Sequence, residues 1–228
     1  MYERTVLGEA KYPPIVKAGI SERVFESGRA VKVEQKIRKT GIDVIGYMPW
    51  GMHICQFYRT KKDLVDILVP YFKAGLEGNE YCMWVVTEPL EVEDARSALK
   101  KKVKNLDDYV EKKQIEILER SQWYTKSGKF ELDKVLLGWL DKEKEALGNG
   151  FEGLRVAGNV FQPERDKRKG LVEYEAMVDH IIGRYRMLAV CSYFFDNFKK
   201  DVVDVANHHQ FILIKRDGKW TRLNRGYR

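Results

Sequence analysis

Apolar residues along this chain gather into short runs, and the stretches between the runs carry apolar positions at helical spacing. The clearest run is HICQFY, His53 to Tyr58. It leads directly into TKKDLVDILVPYFKAGL, whose periodicity is that of an amphipathic helix behind a Thr60/Asp63 capping box. A buried strand feeding such a helix is the first half of a βαβ unit. The alternation then repeats. EYCMWVVT predicts a strand from Glu80 to Thr87, LEVEDARSALKKKV a helix, and QIEILE a strand from Gln114 to Glu119. ELDKVLLGWLDKEKEAL predicts a long helix closed by Gly148-Asn149-Gly150, and GLRVAG a strand from Gly153 to Gly158. LVEYEAMVDHIIGRY is the next helix, and MLAVCSYFF, Met187 to Phe195, the most hydrophobic strand. A short helix in KKDVVDVANHH precedes a closing hairpin, FILIKRDGKWTRL, that turns at Asp217-Gly218. SQWYTKSGKF and NVFQPERDKRKG read as loops.

Near-continuous apolar runs are the mark of strands covered on both faces by crossover helices. The pattern therefore predicts an α/β fold: a three-layer, mostly parallel sheet flanked by helices, with an antiparallel hairpin at one edge. Strand order is not contained in the pattern. Residues 1–40 have a different texture, broken by Pro13-Pro14 and rich in charge, and read as an N-terminal arm or the remnant of a preceding module. The expected boundary is Thr40-Gly41, with one domain over residues 41–228 that opens on a lead-in loop, GIDVIGYMPWGM.

Composition narrows the setting more than the chemistry. A chain of 228 residues, 44% hydrophobic and 12% aromatic, suits one globular α/β core. No apolar run is long enough to span a bilayer and the first residues do not resemble a signal peptide, so a cytoplasmic protein without a membrane partner is expected. Cys55, Cys82 and Cys191 stand far apart with no CxxC pair, which fits a reducing compartment and speaks against a disulfide framework or a paired-ligand zinc site. The net charge of +7 is concentrated late in the chain, where Lys215, Arg216, Lys219, Arg222, Arg225 and Arg228 face only Asp217. That is a solvated tail or, alternatively, a phosphate-binding one.

Ligands of parallel sheets sit beyond the carboxyl ends of the strands. The rule selects Tyr58-Arg59, Thr87-Glu88, Ser121 to Tyr124, Gly158-Asn159 and Tyr193 to Asp196, a set rich in aromatics and amides. Such a box suits a small, weakly polar ligand; the alternative is that Trp123, Tyr124 and Tyr193 merely seal the core. His53 and Cys55 share one side of their strand, and with Cys82 and Cys191 they would make a thiol/imidazole cluster for a soft metal if their strands were neighbours. Buried cysteine is also an ordinary core residue, and no residue is assigned to a metal on sequence grounds. His180 and the His208-His209 pair fit surface or capping positions, and Glu173 and Glu175 are too close in sequence to face together. The turn Tyr58-Arg59-Thr60-Lys61-Lys62 has no glycine, so it is not a phosphate loop, and GxSxG and HExxH patterns are absent from the sequence. A non-catalytic protein is the expectation.

Taken in order, HICQFY, LVPYFKAGL, EYCMWVVTEPL, ARSALKK, QIEILERSQWY, EGLRVAGN, LVEYEAMVDHII and LAVCSY resemble a MEDS domain, the methanogen/methylotroph sensory domain named partly for a dichloromethane-responsive regulator. The resemblance spans about Gly41 to Lys219. It implies a RecA/KaiC-like sheet without a phosphate loop and a sensory module for simple hydrocarbon derivatives, such as methylated compounds. A histidine kinase or transcription regulator is the implied output partner, a homodimer is a common arrangement, and no cofactor is specified. Ligand-binding positions implied by the resemblance together with the strand-end rule are His53, Tyr58, Thr87, Glu88, Trp123, Tyr124, Arg155, Asn159, Cys191 and Tyr193. Glu173 and Glu175 match the family pattern as well. Relatives often carry a tryptophan after the Gly-Asn pair, where this chain reads Val160-Phe161-Gln162-Pro163, which implies a different ligand preference. Two alternatives stand beside the sensor: a nucleotide- or nucleic-acid-binding regulator, and a Cys/His metal or redox sensor.

Overall fold

A computed structural model describes residues 36–86, 88–125, 130–159, 168–197 and 202–224. Most of the expected N-terminal arm, Thr87, and the loop Val160 to Pro163 lie outside the described residues. The described residues open with a two-stranded antiparallel ribbon, β1 (Ile37–Lys39) and β2 (Tyr47–Pro49). The stretch read from sequence as a lead-in loop is thus partly strand, and it buries Ile42, Ile45, Met48 and Trp50. The expected boundary at Thr40-Gly41 falls inside this ribbon, where the Thr40 backbone N–H donates to the Gly46 carbonyl at 2.8 Å.

The main sheet has seven strands: β3 (Met52–Tyr58), β4 (Tyr81–Val86), β5 (Ile115–Glu119), β6 (Leu154–Asn159), β7 (Met187–Phe194), β8 (Phe211–Arg216) and β9 (Lys219–Asn224). Their order is β5-β4-β6-β7-β3-β8-β9. All neighbours run parallel except the edge hairpin β8-β9, in agreement with the fold class expected from the pattern. The helices are α1 (Lys61–Glu77), α2 (Val92–Lys100), α3 (Leu106–Glu111), α4 (Arg120–Trp123), α5 (Leu132–Gly148), α6 (Arg168–Ile182) and α7 (Val202–Ala206). The short α3 and the single turn of α4 were not evident in the sequence pattern. The chain steps outward from β3 through β4 to β5 and then returns to β6 and β7. With crossovers of one hand, that reversal moves the later helices to the opposite face. Accordingly α1 and α2 cover one face, and α5 and α6 cover the other.

Alternation along the strands supplies each face with its own residues. Ile54, Trp84, Ala157 and Val190 look toward α1 and join Leu64, Leu68 and Phe72 in the main hydrophobic core. Phe72 stacks on Trp84 with ring centroids 5.0 Å apart, a contact worth about 0.5–1.5 kcal/mol beyond the area it buries. At the amino end of the strands this face also holds an ionic knot. The buried Glu80 carboxylate pairs with the Arg38 guanidinium at 2.7 Å and with Arg155. Arg155 donates further to the carbonyls of Lys39 (2.8 Å), Thr40 (3.1 Å) and Tyr71 (2.9 Å), so β6, the β1-β2 ribbon and α1 are tied through one side chain.

α1 begins with the predicted cap. Thr60 Oγ1 accepts from the Asp63 backbone N–H, and Asp63 Oδ2 accepts from the backbone N–H groups of Arg59 (3.1 Å) and Thr60 (3.0 Å). In phosphate-binding α/β folds the same backbone groups hold the anion. Here the protein's own carboxylate takes them, and the Lys215 ammonium sits 2.8 Å from the other oxygen of that carboxylate.

Candidate functional site

The second face of the sheet carries His53, Cys55 and Phe57 from β3, Ala189, Cys191 and Tyr193 from β7, and Gly158 from β6. The register aligns Cys55 with Cys191 and Cys191 with Gly158. α6 lays Glu175 across these strands, and the loop between α7 and β8 brings in His209. His53, Glu175, Tyr193 and His209 are fully buried, and Cys191 nearly so. Apolar periodicity explains α6: Leu171, Tyr174, Val178, Ile181 and Ile182 form its buried stripe, and Glu175 lies within that stripe rather than on the solvent side. Glu173, two residues earlier, is only half-buried, as its position predicts.

The polar atoms of this floor converge. His53 Nε2 is 2.9 Å from Cys191 Sγ and 3.2 Å from Glu175 Oε2, while His209 Nε2 is 3.5 Å from the same oxygen. The two imidazole rings lie 3.9 Å apart between centroids. Tyr193 donates its hydroxyl to Glu175 Oε1 at 2.5 Å. His209 donates its Nδ1 proton to the Val205 carbonyl at 2.8 Å, which fixes the tautomer with the Nε2 lone pair toward Glu175. Four donor atoms, one each from His53, Glu175, Cys191 and His209, lie within 4.8 Å of one another.

Burial governs the protonation of this group. Desolvation, followed by the neighbouring His209, holds His53 well below the ordinary histidine range. Desolvation pushes the Glu175 carboxyl up to about 8, against the hydrogen bonds from Tyr193 and Cys191 that favour its ionised form. The Cys191 thiol is raised by desolvation and then by Glu175. Each group is thus held toward its neutral state, as expected where charge has no water to face.

Toward the carboxyl ends of the strands the floor is roofed by aromatics. Tyr124 is buried with its hydroxyl against β6: a Cβ at Gly158 would fall 2.1 Å from Tyr124 Oη, so only glycine leaves room for it. Trp123 from α4 packs on Trp139 from α5 with centroids 4.4 Å apart, and Trp139 Nε1 donates to Tyr174 Oη at 3.0 Å. The arrangement offers an apolar surface above convergent polar atoms, with two imidazoles, a carboxylate and a thiol to orient a small molecule or ligate an ion.

Of the positions expected from sequence, His53, Tyr124, Cys191 and Tyr193 come together on this face, with Trp123 at its rim. Tyr58 lies on the opposite face against Phe194, and Arg155 belongs to the ionic knot with Glu80. Glu88 is exposed beyond β4, Thr87 is outside the described residues, and Asn159 closes β6 opposite Ser192 with its side chain undescribed. Cys82 also faces α1, so the thiol cluster imagined from sequence lacks it: its strand, β4, is separated from β7 by β6. The correction in the other direction is His209, expected at the surface or in a cap but buried beside His53. An open groove of about 710 Å³ between α1 and α2 is lined by Lys61, Lys62, Asp66, Lys73 and Asp94 and lies on the face away from this group.

A family model described as the MEDS domain, "MEthanogen/methylotroph, DcmR Sensory domain", matches residues 52–210. Among curated proteins, none matches the chain. Among solved structures, the chain is similar to a KaiC-like protein from the hyperthermophilic archaeon Pyrococcus horikoshii. That match has a TM-score of 0.54 at 13% identity and covers 82% of this chain and 85% of the other. At that identity the likeness shows the fold alone.

Proposed function

This chain belongs to the MEDS family, and we propose that it is a non-catalytic sensory domain of prokaryotic signal transduction that binds a small organic compound on the aromatic face of its sheet. The compound on this reading is a simple hydrocarbon derivative, such as a methylated one. Trp123, Tyr124 and Tyr193 supply apolar surface, and His53 and Cys191 supply polar contacts from the floor beneath. The output passes to a histidine kinase or a transcription regulator in the cytoplasm. Among the described residues, no helix is long and apolar enough to cross a membrane.

The observation that carries the reading is the convergence of His53, Tyr124, Cys191 and Tyr193, far apart in sequence, around the Gly158 position whose missing side chain admits the Tyr124 hydroxyl. A nucleotide-binding reading is disfavoured by the start of α1, where Asp63 already accepts the backbone N–H groups that a phosphate would need. The basic C-terminal stretch is partly committed too, since Lys215 bonds Asp63 and Asp66.

Calorimetry and thermal shift with methanol, methylamine and dichloromethane as separate probes test the proposal. The wild type should give a saturable response to at least one probe, and Trp123→Ala should weaken it by about tenfold or more while the unliganded protein stays folded. No saturable response to any probe overturns the organic-ligand reading. Equal affinity in Trp123→Ala removes the aromatic face from it.

A further inference from the structure

We propose that His53, Glu175, Cys191 and His209 form a buried site for one divalent transition-metal ion of the zinc class. The donors are two imidazole nitrogens, one sulfur and one carboxylate oxygen, the ligand types zinc takes in closed four-coordinate sites. They come from four separate elements: β3, α6, β7 and the segment before β8. An ion held there would pin α6 and the last crossover onto the sheet.

Three observations point to an ion rather than to a hydrogen-bonded core alone. The first is spacing. Tetrahedral zinc bonds of about 2.0–2.3 Å separate ligand atoms by about 3.3–3.7 Å. Three of the separations are 2.9, 3.2 and 3.5 Å, and all four atoms lie within 4.8 Å of one another, which brackets that range. The second is the direction of the lone pairs. His209 has given its Nδ1 proton to the Val205 carbonyl, so its Nε2 lone pair faces Glu175 Oε2. That oxygen is buried with His53 Nε2 3.2 Å away, and Tyr193 donates to the other oxygen. A proton or a metal cation must lie between these two acceptor atoms, and the site has the geometry for either. The third is charge. Two neutral imidazoles, a thiolate and a carboxylate sum to −2, so a divalent ion makes the buried assembly neutral.

The outer contacts are those of a metal site. Imidazole ligands normally donate their second N–H to a carbonyl or carboxylate, and ligating carboxylates are hydrogen-bonded in turn. His209 with the Val205 carbonyl and Glu175 with the Tyr193 hydroxyl have such contacts, whereas His53 Nδ1 is buried without a hydrogen-bond partner. The site shares His53 and Cys191 with the organic-ligand reading but does not rest on it: an ion closed in by these four side chains is a structural clamp beneath the aromatic surface.

The test uses the full chain stripped with a chelator and then titrated with Zn²⁺ and, separately, Co²⁺. Expected for the wild type are one tightly held equivalent of zinc, a rise in unfolding temperature, and a thiolate-to-cobalt charge-transfer band with the intense visible absorption of tetrahedral cobalt. Cys191→Ser should abolish the charge-transfer band. Cys82→Ala, whose thiol faces α1, should leave band and stoichiometry unchanged. Tyr193→Phe keeps the ring and loses the bond to Glu175, so it should fold and bind about 10–100-fold more weakly. A stripped wild-type chain that takes up no stoichiometric zinc overturns the site. Undiminished affinity in both Cys191→Ser and Tyr193→Phe does so as well, since the ion would then be bound elsewhere.

Discussion

The two faces of this sheet are made from alternate residues of the same strands, yet they meet burial in opposite ways. Toward α1, Ile54, Trp84, Ala157 and Val190 build a dry core, and polar groups at its edge are closed into one knot around Glu80. Toward α6, the neighbouring positions His53, Cys191 and Tyr193 place titratable groups under a carboxylate from a helix. The first face pairs its buried Arg38 and Arg155 guanidinium groups with the Glu80 carboxylate. The second keeps its groups neutral by burial and leaves donor atoms converging on one another. A charge knot of the first kind serves folding; a convergent set of the second kind is what recognition requires.

The sharpest way to test that division is to break the knot. Glu80→Ala leaves the buried Arg155 and Arg38 guanidinium groups without their shared carboxylate, and should cost about 3–5 kcal/mol in chemical denaturation. Metal uptake by the folded fraction should not change, because the knot lies on the other side of the sheet. A loss below about 1 kcal/mol would mean that the knot is solvated and that the two faces are less different than drawn.

A smaller effect probes the packing of the second face. In Gly158→Ala the new methyl meets the Tyr124 hydroxyl, and relief requires Tyr124 to move off β6, at an expected cost of about 1–3 kcal/mol. Tyr124→Phe removes the colliding oxygen, so the double variant should recover part of the loss. A double-mutant cycle measures the coupling directly, and simple additivity would show that Tyr124 does not bear on Gly158.

The fold was legible because strand runs and helix periods are local signals. The Thr60/Asp63 box, the strand ends and the Asp217-Gly218 hairpin turn are each written in a few adjacent residues. β1 and β2 were missed because three-residue strands leave no period to read, and strand order because it depends on long crossovers. In the site, His53 and Cys191 could be named, since each stands out within an apolar run. His209 could not, because its burial comes from β3 and α6, which are distant in sequence. Arg155 could have been removed from the ligand set by counting alone: in β6 it alternates with Val156 and Gly158, so it must face the other way.

The smallest effect concerns the one titratable group of the first face that has taken over a phosphate-like role. Burial by itself would raise the Asp63 carboxyl, but the hydrogen bond from Lys215 and those from the Arg59 and Thr60 segment hold it below the ordinary carboxylate range. A lowered folded-state pKa stabilises the protein above the unfolded value of about 3.9, and that contribution is lost as pH falls through the folded value. Lys215→Met should therefore cost no more than about 1 kcal/mol at pH 5 to 7. The difference from wild type should stay constant across that range and shrink only below about pH 4. Denaturation midpoints of both proteins across pH would show it. A difference that instead grew toward acid would mean that Lys215 stabilises something other than the Asp63 carboxylate, and the start of α1 would be open again as an anion site.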